Sequence, residues 1–249
     1  MKANVEMTKI EEDKDLMLFL DDIREGLDFY IKEEFPLREM NYVSQVVLSK
    51  IQKAFSGVTC CGEKYGLVSS AAKDDYLSES ELDVLSNLEE RYSWQNIPPY
   101  WLYACEASLS FAGPEAFRFL IPAYMCAALQ FNFSDGRAFE YHIGDSIGEN
   151  SDSIQYKMQQ VSLLNNEQKK SISYYLRHMY CRDHNINELN VNDTDNLHNT
   201  CGKSKGFMEI TPWELKELSE SHSNCTYSAY MNNLLSEYIN WVRVMNQSA

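Results

Sequence analysis

The sequence predicts a mainly α fold: a multi-helix globular domain with at most a minor two-stranded β element. Three observations carry this. Apolar residues recur at three- and four-residue steps through most of the chain, Ser/Thr-x-x-Glu or proline starts precede several of these runs, and apolar–polar alternation is weak and brief. No period of about 20–50 residues recurs, which excludes a repeat architecture.

Taken in order, Thr8-x-x-Glu11 has the form of a capping box, and Leu16, Phe19, Leu20, Ile23, Leu27, Tyr30 and Ile31 then form one apolar stripe on an acidic cylinder. Pro36 ends that helix, because proline lacks an amide donor and disfavours the α conformation in the residue before it. A second helix places Val43, Val46, Val47, Ile51, Ala54 and Phe55 on one face and stops at Gly57. The stretch from Val58 to Lys73 is glycine-bearing and reads as irregular, with room for a short strand. Ser78-x-x-Glu81 opens a helix bearing Leu82, Leu85 and Leu88. Trp94 to Pro99 reads as a rigid turn, and Pro99 suits the first turn of a helix carrying Trp101, Leu102, Cys105 and Leu109. Gly113-Pro114-Glu115 starts the most apolar helix, Ala116 to Phe131, where Pro122 removes one backbone hydrogen bond and predicts a kink or break. Phe139 to Ile143 alternates weakly, as a short strand does. Asn165 caps a helix with Ile172, Tyr175, Leu176 and Met179. Residues 182–206 are rich in Asn and Asp and read as a long loop. Thr211-Pro212-x-Glu214 then opens the C-terminal helical region, whose last helix runs from about Tyr227 to Met245.

The 249 residues carry 22 basic against 37 acidic side chains, a net charge of −15, with 44% apolar residues. That apolar share is near the globular average and excludes wholesale disorder. The charge is uneven: residues 1–40 hold net −6, 41–99 net −3, 100–182 net −1 and 183–249 net −5. The organisation read from this is an acidic N-terminal amphipathic helix (1–40), a central helical domain (41–182), and a polar loop with C-terminal helices packed on that domain (183–249). Strong negative charge argues against nucleic acid as a partner. No apolar run reaches the ~18 residues that span a bilayer, so no membrane partner is expected. No secretory signal opens the chain. Seven cysteines (60, 61, 105, 126, 181, 201 and 225), an odd number and sparse, read as reduced thiols in a cytoplasm.

Five segments occur in order: Ile51 to Val58 (IQKAFSGV), Asp74-Asp75-Tyr76, Trp94 with Ile97-Pro98, the run Pro114 to Met125 (PEAFRFLIPAYM), and Leu163 to Leu176 (LLNNEQKKSISYYL). Through them the chain, from about Tyr42 to Tyr180, resembles a bacterial family known as domain of unknown function 6714. The resemblance implies no activity, substrate or catalytic residue. The strongly acidic segments 1–40 and 183–249 lie outside it.

Several constellations invite chemistry. Cys181-x-x-His184 and His198-x-x-Cys201 offer two short-spaced pairs of N/S ligands, the set a tetrahedral Zn²⁺ takes. The chain is read as needing no cofactor, with a structural zinc at these four positions as the alternative. Asn192, Asp193 and Asp195 lack the glycine and bidentate glutamate of a calcium loop. Glu140, His142 and Asp145 read as a hydrogen-bonded surface group, with an acid–base cluster as the alternative. Cys60 or Cys61 as nucleophile lacks an identifiable base. Arg118 sits beside the apolar face of its helix. Either its stem packs while its head pairs with Asp74, Asp75 or Glu106, or it binds an anion in a pocket near Trp94.

The functional expectation is an acidic cytoplasmic binding protein, an immunity-type inhibitor of a basic bacterial toxin or enzyme. Its basic protein partner would meet Asp21, Asp22, Glu25, Asp28, Glu33 and Glu34 at one end and Glu214, Glu217 and Glu220 at the other. The alternative is an enzyme of unknown reaction with a pocket formed by Asp74, Asp75, Trp94 and Arg118.

Overall fold

The computed structural model describes residues 18–19, 21, 37–87, 89–131 and 151–183. Among them are eight α-helices and no strand, so the fold is mainly α. Among the described residues the one β feature is an isolated antiparallel bridge between Leu37 and Phe131, where the Arg38 amide donates to the Gln130 carbonyl at 2.7 Å. No helix is long and apolar enough to cross a membrane among the described residues. The helix expected before Pro36 and the C-terminal helices lie largely or wholly outside the described residues, as do the strand at Phe139–Ile143 and the loop beyond residue 183.

The chain divides into two compact units that interleave in sequence. In the first, α2 (Leu67–Ala72), α3 (Glu79–Ser86), a 3₁₀ turn (Trp94–Asn96), α4 (Pro99–Ala104), α5 (Ser108–Phe111) and α6 (Pro114–Gln130) surround one core. Thirteen of the seventeen residues of α6 are buried, which is what an all-round apolar helix requires. It packs against the 3₁₀ turn, α4, α5 and a second 3₁₀ turn at Val161–Leu163. Helix α2 packs on α3 and α5.

Local signals place most of these helices. Ser78 and Glu81 form the expected reciprocal capping box of α3. Pro98 is the N-cap of α4, with Pro99 at its first position, where a missing amide costs nothing. Gly113 precedes Pro114 at the start of α6 as read from the sequence.

Three expectations need correction. Residues 67–72 are helical, not irregular or extended: Ser69 Oγ accepts the Gly66 amide, and the carboxylate of distant Glu89 accepts the Gly66 and Ser69 amides and so completes the helix start. The helix expected from Pro99 through Leu109 divides into α4 and α5 at Cys105, which leaves the helical region at φ −110°, ψ 42°. The Cys105 carbonyl accepts the Ser108 amide at 3.0 Å and the Tyr124 hydroxyl at 2.6 Å, and the Ser108 hydroxyl lies 2.7 Å from it. Lastly, of the kink or break expected at Pro122, the break does not occur: α6 runs through that residue as one helix.

The second unit is built on α1 (Tyr42–Ala54) packed against α8 (Asn166–Asp183), with residues 151–158 of α7 (Ser151–Gln160), a helix the sequence reading did not foresee. The buried stripe of α1 is Ser44, Val47, Leu48 and Ile51, rotated from the expected one, with Val43 and Val46 only partly covered. The backbone turns left-handed after α1, at Gly57 (φ 71°), as expected. Asn165 caps α8 as predicted: its Oδ1 accepts the Gln168 amide at 2.9 Å, and Gln168 Oε1 accepts the Asn165 amide at 3.0 Å. Ile172, Tyr175, Leu176 and Met179 are all buried.

Candidate functional site

In the first unit a loop and two helix starts are tied together by glutamates. The loop Cys60–Gly66 has no ladder of its own, so its backbone polar groups need partners from elsewhere. Arg91 supplies them. Its guanidinium donates to the carbonyls of Cys60 (3.2 Å), Glu63 and Lys64, and its Nε to Ser86 (3.2 Å). It also pairs with Glu89 at 3.2 Å. Glu89, whose side chain is wholly buried, accepts the Gly66 amide at 2.8 Å and the Ser69 hydroxyl at 2.8 Å, satisfying the start of α2. Glu63 does the same for α6, accepting the amides of Glu115 (2.7 Å) and Ala116 (2.9 Å). Glu115 returns the contact by accepting the Gly62 amide at 2.9 Å. Carboxylates at helix starts satisfy free amides and complement the positive end of the helix dipole.

Beside this clasp lies a cleft of about 180 Å³. Leu67, Val68, Ile97, Pro98 and Trp101 give it apolar walls, and Glu89 and Glu90 its polar edge. The two carboxylates differ. Burial pushes the Glu89 carboxyl above its usual range, against the pull of its Ser69, Arg91 and Gly66 donors. Glu90 is half-buried and is held below the usual range, chiefly by the Tyr92 amide. Its Oε1 accepts the amides of Tyr92 at 2.8 Å and Ser93 at 3.1 Å. Glu90 is therefore an ionised group through the neutral range, at the rim of an apolar slot.

None of the four residues expected to line a pocket lines this cleft. Trp94 is buried, with its indole N–H donating to the Phe55 carbonyl at 3.0 Å. Asp74 and Asp75 are exposed in the turn after α2. Arg118 is half-buried on α6, and its Nε is buried without a hydrogen-bond partner, so the expected carboxylate pairing is not made at that nitrogen. In the same turn Tyr76 is 95% exposed at φ 58°. The Tyr76 amide donates to Lys73 and the Leu77 amide to Ala72, the paired bonds of a helix end whose left-handed position usually holds glycine.

Of the acidic partner-facing residues, Asp21 is described and exposed, while Asp22, Glu25, Asp28, Glu33, Glu34, Glu214, Glu217 and Glu220 lie outside the described residues. Cys181 falls in the last turn of α8, and His184, His198 and Cys201 lie outside the described residues. Asn192, Asp193, Asp195, Glu140, His142 and Asp145 lie outside them as well. Among the described residues no group of three His, Cys, Asp or Glu side chains is arranged to hold a metal ion.

Sequence reasoning also missed a serine–histidine contact in the second unit. Ser44 Oγ lies 2.9 Å from His178 Nε2, both buried. The Ser44 hydroxyl also sits 3.0 Å from Asn41 Oδ1, an acceptor, and must donate there. The histidine nitrogen then donates to the serine, the reverse of what an activated nucleophile requires. The contact is structural, and no short-range pattern announces a pair 134 residues apart.

Cysteine reactivity follows the same burial logic. Burial pushes the Cys60 and Cys126 thiols up to about 12, and raises Cys105 further. Cys61 is exposed. Iodoacetamide applied to the native protein near pH 8 is expected to alkylate Cys61 while Cys60, Cys105 and Cys126 stay protected until denaturant is added. Peptide mapping reads this directly, and labelling of Cys60 as fast as Cys61 contradicts the clasped loop.

The family model described as "Family of unknown function (DUF6714)" matches residues 44–199, well over half the chain. No curated protein and no solved structure matches it.

Proposed function

The chain belongs to the DUF6714 family of unknown function, and from that footing we propose that it is an acidic cytoplasmic binding protein that engages a basic protein, as an immunity-type inhibitor of a basic bacterial toxin or enzyme does. The observation that carries this reading is where the charge lies. Residues 1–40 and 183–249 hold eleven of the fifteen excess negative charges. By contrast, internal carboxylates of the first unit are committed to backbone amides: Glu63 and Glu89 at helix starts, Glu115 on the Gly62 amide and Glu81 in its capping box. An acid surplus at the ends raises the encounter rate with a cationic surface. Exposed tyrosine beside acids suits such contacts as well, and Tyr76 projects next to exposed Asp74 and Asp75. The alternative, an enzyme using Asp74, Asp75, Trp94 and Arg118, gains no specific observation.

The test uses the full chain as bait in native-host lysate, washed at salt from about 50 to 500 mM, a range over which the screening length shortens severalfold. One basic protein retained at low salt and released at high salt is expected, and co-expression of the chain should restore growth to cells making that protein. No partner retained at any salt overturns the proposal.

A further inference from the structure

We propose that the cleft beside Trp101 receives a lysine side chain of the basic protein partner. This rests on the binding reading above and names the contact that makes it selective.

The cleft matches lysine in three respects. Its volume of about 180 Å³ is that of about six liquid waters, room for an extended four-carbon stem and one ammonium group. Leu67, Ile97, Pro98 and Trp101 offer the stem apolar walls, and the Trp101 ring adds attraction for a nearby cation. The acid at its edge supplies the complementary charge. Glu89 cannot serve, since its oxygens already hold the Gly66 amide, the Ser69 amide and hydroxyl, and Arg91. Glu90 can. It carries no ion pair among the described residues, and two backbone amides fill Oε1. The Asn96 side chain and the Arg91 amide also lie close enough to favour its charged form, so the carboxylate stays ionised at the slot's edge. A carboxylate already engaged by several donors suits the point charge of an ammonium better than the two-pronged guanidinium of arginine, which needs both oxygens of a carboxylate. The acidic ends then attract any cationic surface, and this slot selects the one that presents a lysine.

The test is a titration of ¹⁵N-labelled full-length protein, followed at the Trp101 indole N–H, with Nα-acetyl-lysine methylamide as probe. Controls are its Nε-acetyl derivative and the norleucine analogue, both neutral. A saturable shift is expected for the charged probe, with binding about tenfold weaker for both neutral probes and for the charged probe on Glu90→Gln. Glutamine keeps an oxygen for the Tyr92 and Ser93 amides, so the loop is expected to persist. If it does not, the three probes on the unsubstituted protein still decide. No saturable shift, or equal response to charged and neutral probes, overturns the lysine slot. A captured partner whose affinity is unchanged by Glu90→Gln also overturns it while leaving the proposed function standing. A lysine-selective cleft in a chain that captures no partner does the reverse.

Discussion

Arg91→Ala is expected to lower the free energy of unfolding by about 3–5 kcal/mol, the usual loss when one member of a buried ion pair is removed. Urea unfolding with an unchanged slope is the measurement that checks it. The size follows from what the guanidinium holds: the carbonyls of Cys60, Glu63, Lys64 and Ser86, and the Glu89 carboxylate. Removing it strands a carboxylate with no exposed surface and leaves the loop carbonyls to water alone. The arginine is itself 17% exposed, which places the loss toward the lower end of that range. Arg91→Lys is expected to recover little, because an ammonium cannot reach carbonyls on several sides of a planar fork. A loss below about 1 kcal/mol, the scale of a surface pair, contradicts the clasp.

Gly113→Ala and Glu63→Ala are each expected to cost about 1–2 kcal/mol, the scale of a lost helix cap. They act on one contact. A Cβ at Gly113 overlaps Glu63 Oε1, so alanine pushes the carboxylate away from the amides of Glu115 and Ala116. The double substitution should therefore cost clearly less than the sum of the two, a coupling read from a double-mutant cycle by thermal or urea unfolding. Strict additivity contradicts the idea that Gly113 is glycine in order to admit Glu63.

These two predictions mark the limit of what the sequence discloses. Ser78 with Glu81, Pro99 at the start of α4, Gly113-Pro114 before α6, Asn165 before α8 and the turn at Gly57 were legible because caps and periodicity act within a few residues. Helix α2 was not, since Ser69 alone makes a weak start and its completion comes from Glu89, 20 and 23 residues away. Nor was the division at Cys105, which depends on the hydroxyl of Tyr124, 19 residues on. Arg91 and Glu63 read as ordinary surface charges until the chain folds and delivers them to the loop and to α6. Ile97 and Pro98 were legible as a turn and Trp101 as helical, but the cleft between them and Leu67 exists only once α2 is in place. Tyr76 in a left-handed position normally left to glycine runs against local preference altogether.

The electrostatic claim is tested most directly by the association rate with the captured partner as a function of ionic strength. The account predicts a rate that falls by about ten- to a hundredfold from low to high salt. It further predicts a much flatter dependence when Asp21, Asp22, Glu25 and Asp28 are changed to their amides together with Glu214, Glu217 and Glu220. An association rate indifferent to salt, or a slope unchanged by those seven substitutions, contradicts it.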